Sequence, residues 1–260
     1  MSPASNLIDD IDRDPAISPT LWWLGHAGFA IKYHHMVFYL DPFLSPREDR
    51  LQPPIIDPAQ VNHAQMILST QASSTHMDVV ALQAMLAASR EAKLVLPKSA
   101  AEYAKANGIG YERMTTTDNG LRVEYFGMGD YMRVYAVPSA RPALDHTTAG
   151  GYPYLGYLIR AGNCTIYHSG DCIPYEGLAQ RLRPYNVNVA LLGISGPPDN
   201  FTPAEAVDLA TEIGAKWLVP MHYGMFENTK ANPMEVVGFS KPPLKVKVLE
   251  QGEAWEVPDE

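Results

Sequence analysis

The sequence predicts a layered α/β sandwich, and three observations predict it. Short apolar runs of strand length alternate with helical runs along the chain. These clusters recur in both halves, near residues 1–130 and 131–260, with no low-complexity segment, charge run or flexible linker, so the halves are expected to share one core. Four apolar runs close on polar or ligand-type residues, at 69–78, 137–141, 167–171 and 220–224. Open α/β sheets place their sites at such strand ends.

Residues 1–19 are polar and acidic and lack an apolar signal core. They read as a loose arm, so the expected organisation is an N-terminal arm over 1–20 and one domain over 21–260. Leu21-Trp22-Trp23-Leu24 begins a strand that turns at Gly25-His26-Ala27-Gly28. Residues 29–33 and 36–40 make two more strands around a His34-His35 hairpin, spaced as antiparallel neighbours. Residues 43–58 form a long Pro-rich loop suited to walling a pocket. Residues 64–68 are the fourth strand. They feed the polar loop 69–78, which is followed by a helix over 79–88.

Residues 93–96 are a strand closed by Pro97. Ser99 suits an N-cap for a helix over 100–106 that stops at Asn107-Gly108. Strands follow at 121–126, 132–137, 154–160 and 164–168, the last two joined by a tight turn at Gly162-Asn163. A short helix is expected over 177–182 and a strand over 187–192. Thr202-Pro203 opens a helix to Ile213, with Thr202 as N-cap and Pro203 in the first turn. Strands at 217–219 and 244–249 complete the chain.

Composition bounds the function. The chain has 260 residues, enough for a full core, with 46% hydrophobic and 19% charged residues. A net charge of −9 argues against broad nucleic-acid or anionic-membrane binding, though not against a small positive pocket. Cys164 and Cys172, the two cysteines, supply neither a disulfide framework nor a zinc pattern and read as reduced buried thiols. No apolar stretch approaches the ~20 residues of a membrane span. A cytoplasmic location is the default expectation. Gly193-Ile-Ser195-Gly196 misplaces the glycines of a nucleophile elbow. No phosphate-binding or dinucleotide-binding glycine motif occurs.

Several motifs occur in a characteristic order: Trp23-Leu-Gly-His-Ala-Gly28, Leu40-Asp-Pro42, the loop Ser69-Thr-Gln-Ala-Ser-Ser-Thr-His-Met-Asp78, Gly156-Tyr-Leu-Ile159, Tyr167-His-Ser-Gly-Asp171, Pro203-Ala-Glu-Ala-Val207 and Pro220-Met-His-Tyr-Gly224. Together they resemble the metallo-β-lactamase fold superfamily. The nearest likeness is to the branch of L-ascorbate-6-phosphate lactonase and related metal-dependent hydrolases. The resemblance implies a four-layer αββα sandwich. In that family the polar loop reads Thr-His-x-His-x-Asp-His and its side chains hold two metal ions. Here Gln71 and Ser73 stand at the first two histidines, Thr75 at the aspartate, and Arg141 at the histidine after the Val-Pro strand. His76, Asp171 and His222 match.

The resemblance thus implies loss of the three-imidazole metal. A neutral amide and a hydroxyl are poor zinc ligands, and a charged guanidinium cannot coordinate. His76, Asp171 and His222 suffice for one zinc, manganese or iron ion with an open position, or else survive as a hydrogen-bonded cluster with no metal. Asp171, His26 and Arg141 are the candidate catalytic residues. Arg141 with Gln71, Ser73 and Tyr223 forms the candidate substrate-binding set. Arg141 either grips an anion through parallel hydrogen bonds or pairs internally with Asp171. His26 either contacts substrate or carries a proton, or is a turn histidine satisfied by backbone. Asp41 either orients a pocket side chain or caps its loop. His146 could swing in as a substitute ligand. His34, His35 and His63 read as surface, and His168 as a locally bonded strand residue. Cys172, beside the Asp171 carboxylate, makes a poor nucleophile.

The expected function is hydrolysis of a small anionic ester, lactone or phosphoester with at most one metal ion. The alternatives are a metal-free pseudoenzyme or ligand-binding protein, and a non-hydrolytic biosynthetic enzyme on the same fold. The expected partner is a small anionic molecule; no oligomeric interface is legible.

Overall fold

Consecutive tryptophans show how the layers arise. Successive strand residues point to opposite faces. Trp23 therefore joins Leu21 in one core while Trp22 joins Leu24 in another. All four are essentially fully buried, so this strand is covered on both faces.

The structure is a computed structural model that describes residues 6–148, 150–227, 229 and 231–259. In chain order the elements are α1 (Leu7–Arg13), β1 (Thr20–Gly25), β2 (Gly28–Tyr33), β3 (Met36–Leu40), β4 (Ala64–Leu68), α2 (Val79–Ala88), β5 (Lys93–Pro97), α3 (Ala101–Ala106), β6 (Met114–Thr117), β7 (Arg122–Gly127), β8 (Asp130–Pro138), β9 (Leu155–Ala161), β10 (Cys164–His168), α4 (Leu178–Leu182), β11 (Val189–Gly193), α5 (Pro203–Glu212), β12 (Trp217–Met221), α6 (Pro233–Phe239), β13 (Lys245–Val246) and β14 (Ala254–Glu256). Two seven-stranded sheets result, ordered β14-β1-β2-β3-β4-β5-β6 and β13-β12-β11-β10-β9-β8-β7. Each is mixed. Antiparallel β1-β2-β3 continues into parallel β3-β4-β5-β6, and antiparallel β7-β8-β9-β10 into parallel β10-β11-β12-β13.

Three buried clusters separate four layers. Phe29, Ile31 and Trp23 of the first sheet meet Val134, Tyr157 and Ile159 of the second. Outside the first sheet, Trp22, Tyr39 and Ile67 pack on Ile8 and Ile11 of α1 and Leu82 and Met85 of α2. Outside the second, Leu158, Tyr167 and Leu192 pack on Leu182, Leu209 and Val236 of α4, α5 and α6. This is the αββα sandwich expected. Among the described residues no helix is long and apolar enough to cross a membrane.

Some local expectations need correction. Within the stretch read as a loose arm, Asn6 caps α1 and Ile8 and Ile11 are buried. Ser99 does not cap a helix; it lies in a 3-10 turn, and α3 follows from Ala100 with no side-chain cap. The expected strand over 244–249 shrinks to β13, while β14 pairs with β1 instead. The Thr202 capping box forms in full with Glu205, and Pro203 occupies the first turn.

The ends of the parallel strands position the site. β4 runs into the polar loop 69–78, β10 into Asp171, and β12 into His222. Asp78 does two jobs there. It caps α2 through Ala81 N and accepts from Leu44 N, Ser45 N and Ser45 Oγ, at 3.0, 2.7 and 2.6 Å for the last three. The loop beginning at Phe43 is thereby pinned over the strand ends.

Candidate metal centre

His26, His76 and His222 converge, with one nitrogen from each within 4.8 Å of the others. Three turns deliver them. His26 sits between β1 and β2, His76 in the loop after β4, and His222 just past β12. The His26 carbonyl accepts from Trp23 Nε1 and from His222 N, both at 3.1 Å, which ties the first and last turns together. His26, Asp41 and His222 all hold positive φ, at 53°, 40° and 63°. Side-chain-bearing residues rarely adopt that region, and such strain collects at functional sites.

The hydrogen bonds of His76 fix its chemistry. Asp41 Oδ2 lies 2.6 Å from His76 Nδ1, and Thr70 holds Asp41 through its N–H and hydroxyl at 2.8 and 2.7 Å. A carboxylate that accepts a hydrogen bond from Nδ1–H holds the proton there and leaves Nε2 as the ligating atom. His76 Nε2 and His222 Nε2 are buried without a well-aligned hydrogen bond, and the acceptors beside them are the Asp171 oxygens, at 3.2 and 3.5 Å. Buried ring nitrogens gathered on one carboxylate fit a bound cation. Asp41 therefore orients a pocket side chain and anchors its loop at once.

Asp171 adjoins the cluster without being one of its three converging groups. Its Oδ2 lies 3.2 Å from His76 Nε2 and its Oδ1 3.5 Å from His222 Nε2. On its other side Gln71 Nε2 donates to Oδ2 at 2.6 Å, Arg141 Nε lies 3.1 Å away, and Asn200 Nδ2 donates to Oδ1 at 3.0 Å. The three residues expected from sequence as metal ligands, His76, Asp171 and His222, do lie together. His26 stands beside them as a third imidazole, and Asp171 also meets donors that are not ligands.

Electrostatics follow from this packing. Burial opposes the charge on His76, but Asp171 and Asp41 push its pKa up to about 10. His222 is lowered to about 4 by burial, with His76 adding to the effect. Burial, His222 and His76 also hold His26 well below the usual histidine range. Burial disfavours ionisation of Asp171, yet His76, His222 and Arg141 keep its carboxyl well below the usual range. That carboxylate therefore stays ionised beside the imidazoles.

The remaining residues fall into place around this centre. Arg141 pairs internally, with Asp171 and also with Asp199 at 2.8 Å, and donates through Nη1 to Gln71 Oε1 at 3.1 Å. Gln71 is thereby occupied at both ends of its amide. Ser73 Oγ is buried with no partner. Tyr223 gives its hydroxyl to the Leu249 carbonyl at 3.0 Å and packs on Trp23, so that hydroxyl is spent on backbone. His146 is exposed against Tyr152 and joins no ligand cluster among the described residues. His168 bonds the Ala27 carbonyl and receives the Gly170 N–H, as expected of a local strand residue. His63 is part-exposed rather than free on the surface; it bridges Asp12 at 2.5 Å and Tyr39 at 2.7 Å. Burial pushes the Cys172 thiol up to about 12, and it donates to the Ile173 carbonyl.

Phe43 and Phe226 stand edge-on to His26 and cover it. Arg50 stacks on Phe43 with its Cζ 4.4 Å from the ring centroid. Sequence reasoning missed Asp199 and Asn200. Their signal was a polar pair, after Pro197-Pro198, in the loop that follows the apolar run of β11.

A profile of the beta-lactamase superfamily domain matches residues 20–222. A metal-dependent hydrolase of Myxococcus xanthus is 30% identical over 236 residues, covering 84% of this chain and 74% of the relative. One of Methanopyrus kandleri is 29% identical over 247 residues, covering 90% of this chain and 98% of the relative. Among solved structures, a metallo hydrolase of the archaeon Ignicoccus hospitalis is 22% identical, with a TM-score of 0.68 over 92% of this chain and 97% of that one.

Proposed function

The chain belongs to the beta-lactamase superfamily, and from that premise we propose that it hydrolyses a small anionic ester, lactone or phosphoester with at most one metal ion. The observation that carries this reading is the convergence of the buried imidazoles of His26, His76 and His222 beside the Asp171 carboxylate. Those three side chains would hold the ion, with Asp41 fixing the His76 tautomer. Bound there, a divalent cation supplies Lewis acidity: it polarises a carbonyl or phosphoryl oxygen and acidifies water.

This chain's own residues would do the rest. Asp171 orients His76 and His222 from the far side of the cluster. Arg141 faces the anionic part of the substrate. Phe43 and Phe226 exclude water from the His26 side, which strengthens the electrostatic interactions within. The Gln71, Ser73 and Arg141 positions offer no imidazole, which motivates the limit of one ion. The substrate classes come from the motif resemblance to the lactonase branch; the matched relatives carry only the broader description of metal-dependent hydrolases.

One observation favours a second reading, a ligand-binding protein without metal. A protonated His76 between Asp41 at 2.6 Å and Asp171 at 3.2 Å is satisfied with no ion present. Elemental analysis of protein purified without chelator, followed by a lactone and phosphodiester panel with and without zinc or manganese, separates the two. Metal-dependent turnover supports the hydrolase; no metal and no turnover support the binding protein.

A further inference from the structure

Arg141 is shared between two carboxylates of opposite character. Asp171 is 5% exposed and is held by Gln71 and Asn200 as well. Asp199 is 41% exposed, and its contact with Arg141 Nε is the ion pair the structure gives it. A buried, multiply bonded carboxylate stays put. An exposed one is screened by solvent and weakly held. Next to Asp199 in the chain, Asn200 is 1% exposed and donates to Asp171, so the backbone of this loop is fixed while the Asp199 side chain remains exchangeable.

The guanidinium itself is part-exposed, lies about one ring's reach from Tyr154, and is anchored from beneath by Gln71. We propose that Asp199 is a built-in stand-in for the substrate's anionic group: an incoming carboxylate or phosphate displaces Asp199 from Arg141, and Asp199 thereby sets both the affinity and the charge selectivity of the site. The inference rests on reading this site as one for an anionic substrate. Displacement leaves the Arg141–Asp171 contact in place, so the cation stays aimed while its outer edge changes partner. A neutral ligand cannot offer the guanidinium what Asp199 offers, and is rejected. An oxyanion with two acceptor oxygens can, through parallel hydrogen bonds.

The test is calorimetric titration with inorganic phosphate of wild type, Asp199→Asn and Arg141→Met, each confirmed folded. Asp199→Asn removes the competing charge and should bind phosphate about tenfold more tightly, the scale of one nearby like charge at partial exposure. Arg141→Met should lose phosphate binding. Asp199→Ser serves if Asp199→Asn fails to fold. Phosphate binding by the Asp199 variant no tighter than wild type, or unimpaired binding by Arg141→Met, overturns the proposal. Zinc titration of the same proteins reads the hydrolase proposal independently: absent zinc binding with tightened phosphate binding sinks the metal reading and leaves the role of Asp199 standing.

Discussion

Asp41 and His76 are joined by a 2.6 Å contact between two fully buried side chains. Their sequence separation is large, and only the parallel pairing of β3 with β4 brings them together. That pair decides which histidine nitrogen faces the cluster, and several outcomes depend on it.

Asp41→Asn should weaken zinc binding by about 10–100-fold, the usual loss when the partner of a ligating histidine is removed. The isosteric amide keeps its oxygen as the acceptor for Thr70 N–H, while its NH2 can only donate, to Thr70 Oγ1, and asparagine tolerates positive φ. Competition against a chromophoric chelator measures this. Unchanged zinc affinity in a folded variant would show that Asp41 only anchors its loop.

The metal-free protein should show two opposed pH effects. His76 is raised to about 10, against ~6.5 for an unfolded histidine, so its contribution to stability is complete below ~6.5 and is lost as pH rises through about 10. His222 is lowered to about 4, so its contribution is complete above ~6.5 and is lost as pH falls through about 4. In chelator-treated protein, the Tm advantage of wild type over His76→Gln should shrink from pH 7 to pH 10. A constant advantage across that range would mean His76 is neutral in the folded protein.

Both cysteines should be slow toward thiol reagents in the native state. Burial pushes Cys164 and Cys172 up to about 12, leaving little thiolate near neutrality. Disulfide-exchange labelling at about pH 8 should modify both only after denaturation. Rapid native labelling of Cys172 would revive it as a nucleophile.

Placing His at positions 71, 73 and 141, with Asp at 75, should create capacity for one more zinc. Gln71 and Arg141 already stand within 3.1 Å of Asp171, so ligands there would share that carboxylate. If the Gln71→His, Ser73→His, Thr75→Asp, Arg141→His variant folds and titrates no additional zinc, those positions are not the missing ligand set.

The layers were legible because burial writes itself into strands: the run Leu21-Trp22-Trp23-Leu24 is apolar at every position, as a strand covered on both faces must be. The Thr202-Pro203-Ala-Glu205 cap was legible because its bonds are local. Helix α6 carried a comparable signal, Asn232-Pro233, that the sequence reading passed over. β14 was not legible, since three residues carry no period and its partner β1 lies at the other end of the chain. In the site, the Arg141–Asp171 pairing is one of the two outcomes the sequence allows, whereas the Gln71 bond to the same carboxylate has no signal in the chain. The His26 turn is tied to the His222 turn by a backbone hydrogen bond between distant parts of the chain, which no local pattern encodes.

The central claim is that His26, His76 and His222 together hold a single ion. Anomalous scattering from crystals grown with zinc tests it most directly, by counting ions and placing them. The account predicts one well-occupied ion within bonding distance of all three imidazoles, lost in His26→Ala. Two ions, an ion that ignores His26, or no ion at all at saturating zinc would contradict it.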